Sequence, residues 1–430
     1  MREAALYVHD GRVSTSAGVS AGIDLSLSLV EQHRGPELAA AVARELVLYL
    51  RRDGDTAQIS PFLRYRDHRA VPKDRITVAV VVSNEGSVAT DVLAPYQVFA
   101  ESEKFFIYTV AAERRVSPLS GGAHLLPDHT LTEVKRGTLP EPDVVVVPAV
   151  TDPVDVKEAR TRQWIAERHH KGACVLGVCA GSELLAASGL LDGHDATSFW
   201  SGISSLKRHY PQVHWKRGQR YVEDGRVTTT AGITSGTVGA LRVVEELAGK
   251  DEAARIGKTL SYPGWTLDGP TAIPANQLAI GDVPYALNAA FPWLRPTVGI
   301  GLVDGVGEID AAAAFEAYAG VSFTARTVVL GARDTITTRH GLVLIAETAR
   351  GGAHGVDRFA VPGVAGTSAV DTPLRTWARR NGLAVELPGG GRREGSSVST
   401  RSCATSPSTA TSVRPWSRRS SPNTPRPIWS

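Results

Sequence analysis

Cysteine is scarce in this chain. Three occur in 430 residues: Cys174, Cys179 and Cys403. So few thiols exclude a disulfide framework and a four-cysteine zinc site, and they suit a reducing cytosol. Long apolar runs are missing too. No stretch approaches the ~18 uninterrupted apolar residues of a membrane span. The opening residues Met1-Arg2-Glu3-Ala4-Ala5 carry no signal-peptide core, so the expected compartment is the cytoplasm, away from any membrane. A basic surplus is absent where it would count. The net charge is +3, but residues 391–430 hold seven Arg against one Glu, which leaves the preceding 390 residues at −3. That balance removes a whole-protein case for nucleic-acid binding. What is present is a globular composition, 42% hydrophobic and 21% charged, in a chain long enough for two to four domains of the usual ~100–200 residues.

The chain repeats itself, and the repeats are broken. Residues 7–31 (YVHDGRVSTSAGVSAGIDLSLSLVE) and 221–245 (YVEDGRVTTTAGITSGTVGALRVVE) agree at 13 of 25 positions without a gap. A weaker repeat relates TVAVVVSNEGSVATDVLAPYQVFA from Thr77 to TVGIGLVDGVGEIDAAAAFEAYA from Thr297, with one residue dropped in the turn. KGACVLGVCAG from Lys171 is echoed by NGLAVELPGGG from Asn381. The organisation that follows is a C-terminal part of one domain in 1–70, a complete domain in 74–266, a proline-rich connector in 267–296, and the N-terminal half of a further copy in 297–390.

The tail 391–430 holds eleven Ser, five Thr, five Pro and seven Arg, a composition that cannot offset its ordering entropy by burial. It reads as a disordered basic segment, as a binding arm, or as out-of-frame translation of a GC-rich gene. It begins where the last copy should run on into a helix, which favours the third reading.

Within 74–266, short β-branched runs alternate with helical stretches. Ile76–Val82, Phe105–Ala111, Val144–Val147 and Cys174–Val178 read as buried strands, and Asp91–Glu101, Val156–His170 and Gly181–Ser188 as helices. The expected fold class is α/β: a flavodoxin-like, doubly wound, mostly parallel sheet, followed by a second, partial α/β unit. Ligands bind such sheets at the strands' carboxyl edge.

At that edge stands Gly177-Val178-Cys179-Ala180-Gly181. A cysteine in G-x-C-x-G on a strand-to-helix turn is a nucleophile elbow: small neighbours permit the tight backbone, and the helix N-terminus favours a thiolate, below the ~8.5 of a free thiol. The same pattern also fits a small buried residue. Cys174, inside the strand, reads as core.

These residues carry a resemblance. VLGVCAGSELLAASGLLDGHDATSFW, then YVEDGRVTTTAGITSG, with TDVLAPYQVFA and VVVVPAV before them, resembles the ThiJ/PfpI family of the class I glutamine-amidotransferase-like superfamily. The nearest branch is the amidase-like sensor domain of AraC-type transcriptional regulators. The resemblance covers nearly all of 74–262. It implies the flavodoxin-like fold, a nucleophile elbow with catalytic Cys179, frequent homodimers, and backbone donors for an oxyanion from Ala180 and from the loop Pro148-Ala149-Val150.

The chain departs from the family at the partners of the thiol. Ala180 stands where many relatives have His, Phe199 precedes Trp200 where they have His, and no His or Glu lies around Gly232–Gly236. Pro148-Ala149-Val150 replaces Pro-Gly-Gly. Asp91 matches the acid that the isonitrile-hydratase-like branch sets near its Cys, and is the second catalytic candidate. Its other reading is a helix N-cap, with Thr90 or Asp91 opening the helix. Glu183 is a lesser acid candidate. His194, His209 and His214 read as solvated turn residues with no metal-ligand spacing, so no metal and no cofactor are expected. Trp200 and Trp215 read as core. In the last copy Gly389 stands opposite Cys179, while Asp310 is kept opposite Asp91.

Two functions follow. One is a small-molecule-sensing or regulatory protein built on an old active site, without efficient catalysis. The other is a cysteine-dependent hydratase or hydrolase working through Cys179. The missing His groups favour the first. No helix-turn-helix pattern is found, so control of transcription would need a DNA-binding partner. The broken repeats also fit the product of a damaged multidomain gene.

Overall fold

Valine runs set the centre of the molecule. Four consecutive valines, Val144–Val147, cannot alternate between core and water, so their strand must be covered on both faces. In the computed structural model all four are fully buried. The model describes residues 7–10, 13–16, 74–232, 234–260, 269, 271–273, 293, 295–320, 324–349 and 355–388. Most of the expected pieces 1–70 and 267–296, the tail 391–430, and with them Gly389 and Cys403, lie outside the described residues.

In chain order, β1 (Tyr7–Asp10) and β2 (Val13–Ser16) form an antiparallel two-stranded sheet. The first large unit runs β3 (Ile76–Val81), α1 (Ala89–Ala100), β4 (Phe105–Ala111), β5 (Ser117–Pro118), β6 (His124–Leu126), β7 (His129–Thr130), α2 (Leu131–Lys135), β8 (Val144–Val147), α3 (Ala159–His170) and β9 (Cys174–Gly177). It continues through α4 (Gly181–Ala187), β10 (Asp195–Ala196), α5 (Ile203–His209), β11 (His214–Trp215), β12 (Tyr221–Asp224), β13 (Val227–Thr230), α6 (Ser235–Ala248) and α7 (Lys250–Thr259). Its sheet has the order β12-β13-β9-β8-β3-β4-β7, parallel throughout except for the β12–β13 hairpin. This is the expected doubly wound α/β sheet.

Strand alternation sorts the two faces. Val78 and Val80 of β3 join a core with Val92 and Phe99 of α1 and Leu241 and Val244 of α6. Ala79 and Val81 point the other way, into a core with Trp164 and Ile165 of α3 and Leu184 and Leu185 of α4.

The second unit runs β14 (Thr297–Leu302), α8 (Glu308–Tyr318), β15 (Arg326–Gly331), β16 (Thr335–Thr337), β17 (Val343–Ile345), β18 (Glu347–Thr348), β19 (Arg358–Ala360), α9 (Thr372–Arg380) and β20 (Val385–Glu386). Its parallel sheet, β18-β15-β14-β19-β20, has the topology of β7-β4-β3-β8-β9. The two units share a four-stranded sheet, β16-β17-β6-β5, in which β6 and β17 pair antiparallel. They also share one apolar core, which runs from Val80 and Phe99 through to Ile300, Phe315 and Leu344.

Helices α1 and α8 lie antiparallel at this junction. Gln97 Oε1 accepts the Ile309 N–H at 2.8 Å, near the start of α8. The Ser120 hydroxyl donates to Glu316 Oε1 at 2.5 Å and accepts the Ala89 N–H at 2.8 Å, at the start of α1. Approach is close enough that a Cβ on Gly121, whose φ is +71°, would lie 2.7 Å from Phe315 Cβ. Only glycine suits that place.

Candidate functional site

Strand β9 ends at Gly177, and the chain turns through Val178, Cys179 and Ala180 into α4. Cys179 has φ +56°, the one positive φ of a non-glycine among the described residues. Such a conformation costs about 1–2 kcal/mol and persists only where the surroundings impose it. Here they do. A Cβ on Gly181 would sit 2.1 Å from the Val147 carbonyl oxygen, so α4 starts hard against the end of β8. A Cβ on Gly177 would lie 2.7 Å from Leu185. The Cys179 carbonyl accepts the hydroxyls of Ser182 at 2.9 Å and Ser198 at 3.1 Å, both from fully buried side chains.

These two serines were not singled out in the sequence. Ser182 lies one turn past the cysteine, a local signal for a hydroxyl that folds back. Ser198 is 19 residues away and carries no such signal. The turn is thus a strained elbow, and Cys179 within it is buried, 9% exposed. Cys174, expected in the core, is the more open of the two and only partly buried, with its thiol pushed up by that burial.

Asp91 corrects the expectation of a cap. The helix opens at Ala89 after Val88, which has no capping side chain; the first amide is met instead by the Ser120 hydroxyl. Asp91 lies in the first turn, fully buried, and its Oδ2 accepts the Ala149 N–H at 3.1 Å. Its Oδ1 is buried without a hydrogen-bond partner. Burial raises its carboxyl well above the usual range; the Ala149 bond opposes this, and the charge of Glu316 adds to it. A neutral carboxylic acid is the form such a place favours.

The oxyanion expectation changes with it. The Ala149 N–H is taken by Asp91, so this amide is not free to meet an oxyanion. Val150 bridges to Ser87 on the next segment, and Ala180 occupies the residue before α4. Strands β8 and β9 are neighbours with Val147 opposite Gly177, so the Ala149 loop and the elbow leave adjacent strands at one sheet edge. Asp91 and Cys179 therefore serve adjoining pieces of backbone.

The remaining candidates stand further out. Glu183 is half-buried in the first turn of α4, its carboxyl raised by burial. His194, partly buried, and His214, exposed, pair with Asp224 and Asp195, and His209 faces Ser205 on an exposed turn of α5. Trp215 is core, with its indole N–H on the Tyr210 carbonyl, whereas Trp200, expected in the core, is 38% exposed. Among the described residues no three of His, Cys, Asp and Glu are grouped to hold a metal ion, and no helix is long and apolar enough to cross a membrane.

A strained cysteine elbow at the carboxyl edge of a parallel sheet, with a buried acid in the first turn of α1 bonded to the adjacent loop, defines a cysteine-centred α/β protein. Residues 77–246 match the model of the DJ-1/PfpI family. The chain is 30% identical over 190 residues to an isonitrile hydratase of Pseudomonas putida, covering 43% of this chain and 79% of that protein. It belongs to the DJ-1/PfpI family. It is also 29% identical over 116 residues to the HTH-type transcriptional regulator CdhR of Pseudomonas aeruginosa, covering 27% of this chain and a third (33%) of the regulator's length. A solved ThiJ/PfpI family protein from Pseudomonas syringae is similar at 26% identity with a TM-score of 0.40, covering 50% of this chain and 86% of that one.

Proposed function

We propose that the Cys179 site binds a small molecule in a sensing or regulatory role, without efficient turnover. One observation carries this reading: the Ala149 N–H, the backbone donor expected to meet an oxyanion, is already held by Asp91 Oδ2. The family's usual histidines are absent from the positions beside Cys179 and Trp200, and a well-placed acid or base is typically worth ~10²–10⁴ in rate. The likeness to a transcriptional regulator supports the role, with a cytoplasmic homodimer and a separate DNA-binding partner as its setting.

A second reading has its own support. A neutral Asp91 is a proton donor, Cys179 is held in elbow geometry, and the likeness to an isonitrile hydratase covers most of that protein. On that reading the Cys179 sulfur adds to the isonitrile carbon, Asp91 gives that carbon its proton and takes the thiol's proton in return, and water then adds to the same carbon and expels the Cys179 thiol as the formamide leaves.

Turnover of isonitriles, amides and reactive aldehydes, measured for the full chain and for Cys179→Ser, decides between them. The sensing role expects no turnover that depends on Cys179, and thermal stabilisation of the wild type by some of these compounds. Turnover abolished by Cys179→Ser overturns it in favour of the hydratase.

A further inference from the structure

Beyond β9 the complete unit closes its sheet with the hairpin β12–β13, whereas the sheet of the partial copy ends at β20. Strand β20 is the counterpart of β9. NGLAVELPGGG matches KGACVLGVCAG, so Val385 stands at the place of Val175, Glu386 at that of Leu176 and Leu387 at that of Gly177. The ladders agree with this match: Phe359 lies opposite Val385 as Val145 lies opposite Val175. On its other side β9 pairs in parallel with β13, Val175 opposite Val227, Leu176 opposite Thr228 and Gly177 opposite Thr229. The Val175 N–H donates there to the Arg226 carbonyl at 2.8 Å. Among the described residues β20 pairs with β19 alone.

Burial records the difference. Val175 and Leu176 are 1% and 0% exposed, while Val385, Glu386 and Leu387 are only half-buried. The β19 side of β20 is satisfied: the Glu386 carbonyl accepts the Val361 N–H at 2.8 Å, and the Glu386 carboxylate pairs with Arg358 at 2.6 Å. Alternate residues of a strand turn their N–H and C=O to opposite sides, so Val385 and Leu387 present theirs to the open edge. Such an edge is a template for one more strand.

The strand that fits it is in the same sequence. Hairpin β1–β2 has the register of β12–β13, with Tyr7 opposite Ser16 and Asp10 opposite Val13, as Tyr221 is opposite Thr230 and Asp224 opposite Val227. The two connections, Gly11-Arg12 and Gly225-Arg226, are identical. Set beside β20 as β13 is set beside β9, strand β2 places Val13 opposite Val385, Ser14 opposite Glu386 and Thr15 opposite Leu387. The Arg12 carbonyl then meets the Val385 N–H. Within one chain, however, the hairpin and β20 belong to separate sheets.

We propose that β2 of one copy pairs in parallel with β20 of a second copy, completing the partial sheet. A reciprocal exchange about a twofold axis uses both hairpins and both edges, and so closes the assembly at a dimer. This surface does not depend on the role of Cys179.

Ser14→Cys and Glu386→Cys are made as separate full chains, mixed and oxidised. Residues opposite one another on paired strands fall within the ~4.4–6.8 Å Cα separation that a disulfide spans. A species of twice the chain's mass, assigned by peptide mapping to a 14–386 link, is expected. Its absence overturns the pairing. Ser14→Cys mixed with Val385→Cys should not link, because a shift of one residue turns the side chains to opposite faces. Equal linkage to both positions overturns the register. The double variant Ser14→Cys with Glu386→Cys separates the two sources of the hairpin: a covalent dimer supports the second copy, and a link confined within single chains overturns it. Sedimentation velocity of the unmodified full chain should show a dimer at the concentration of the cross-linking, and a monomer there overturns the exchange.

Discussion

Leu125 of β6 and Leu344 of β17 face each other across an antiparallel strand pair, both buried, and through them the complete unit and the partial copy share a single sheet. An isolated half sheet would leave strand edges and an apolar helix face bare. Here the edge of one unit is the partner of the other.

Leu344→Asp places an unpaired charge in that seam. It should destabilise the chain by about 3 kcal/mol or more, as buried unpaired charges do. Chemical unfolding checks this, and a change under about 1 kcal/mol would show that the seam contributes little.

Gly181→Ala tests the elbow. Its Cβ would meet the Val147 carbonyl at 2.1 Å, and that oxygen belongs to a central strand that cannot yield. A loss of about 1–3 kcal/mol is expected from overpacking, together with slower alkylation of Cys179. Ser198→Ala, which removes one of two hydroxyls on the Cys179 carbonyl, should slow alkylation less.

Cys179 should react with limiting iodoacetamide at neutral pH before Cys174, although it is the more buried of the two. The reason is geometry and position: Cys179 is presented by the elbow at the sheet's carboxyl edge, while Cys174 opens strand β9 with its thiol pushed up by burial. Peptide mapping of the modified protein reads the order directly. Faster reaction of Cys174 would reduce the elbow to a remnant of the fold.

Asp91 should make stability fall as pH rises. Its folded value lies well above the unfolded ~3.9 because of burial first. The group's contribution is therefore complete below that unfolded value and is lost as pH climbs toward the folded one, by ~1.4 kcal/mol for each pH unit of that window. Asp91→Asn keeps an acceptor for the Ala149 N–H and cannot ionise. The melting temperature of the variant relative to wild type should thus increase as pH rises above the unfolded value. A constant difference would mean that Asp91 does not titrate differently on folding.

The elbow was legible because its determinants are local: Gly177, Cys179 and Gly181 lie within five residues of each other, at the end of an apolar run. The strands Phe105–Ala111 and Val144–Val147 were legible for the same reason, since burial on both faces leaves an unbroken run of aromatic and β-branched residues with little polarity. The start of α1 was misplaced by two residues because Asp91 has the chemistry of a cap, and nothing in Ala89-Thr90-Asp91 tells that the carboxyl turns inward. Trp200 was misplaced because a large aromatic is ordinarily core, and only the packing of neighbouring segments leaves this one partly open.

The sequence by itself determined the α/β class, the order of the four strands and three helices between residues 76 and 188, the repeat that relates Asp91 to Asp310, and the cysteine on its turn. Those properties depend on side-chain period, turn chemistry and short-range spacing. The tertiary structure alone decided that Asp91 holds Ala149, 58 residues away, and that Glu316 reaches Ser120 across 196. It also decided that β6 finds its partner in β17. These are contacts of distant segments, and each exists because two apolar faces had to be buried against one another, which no local pattern records.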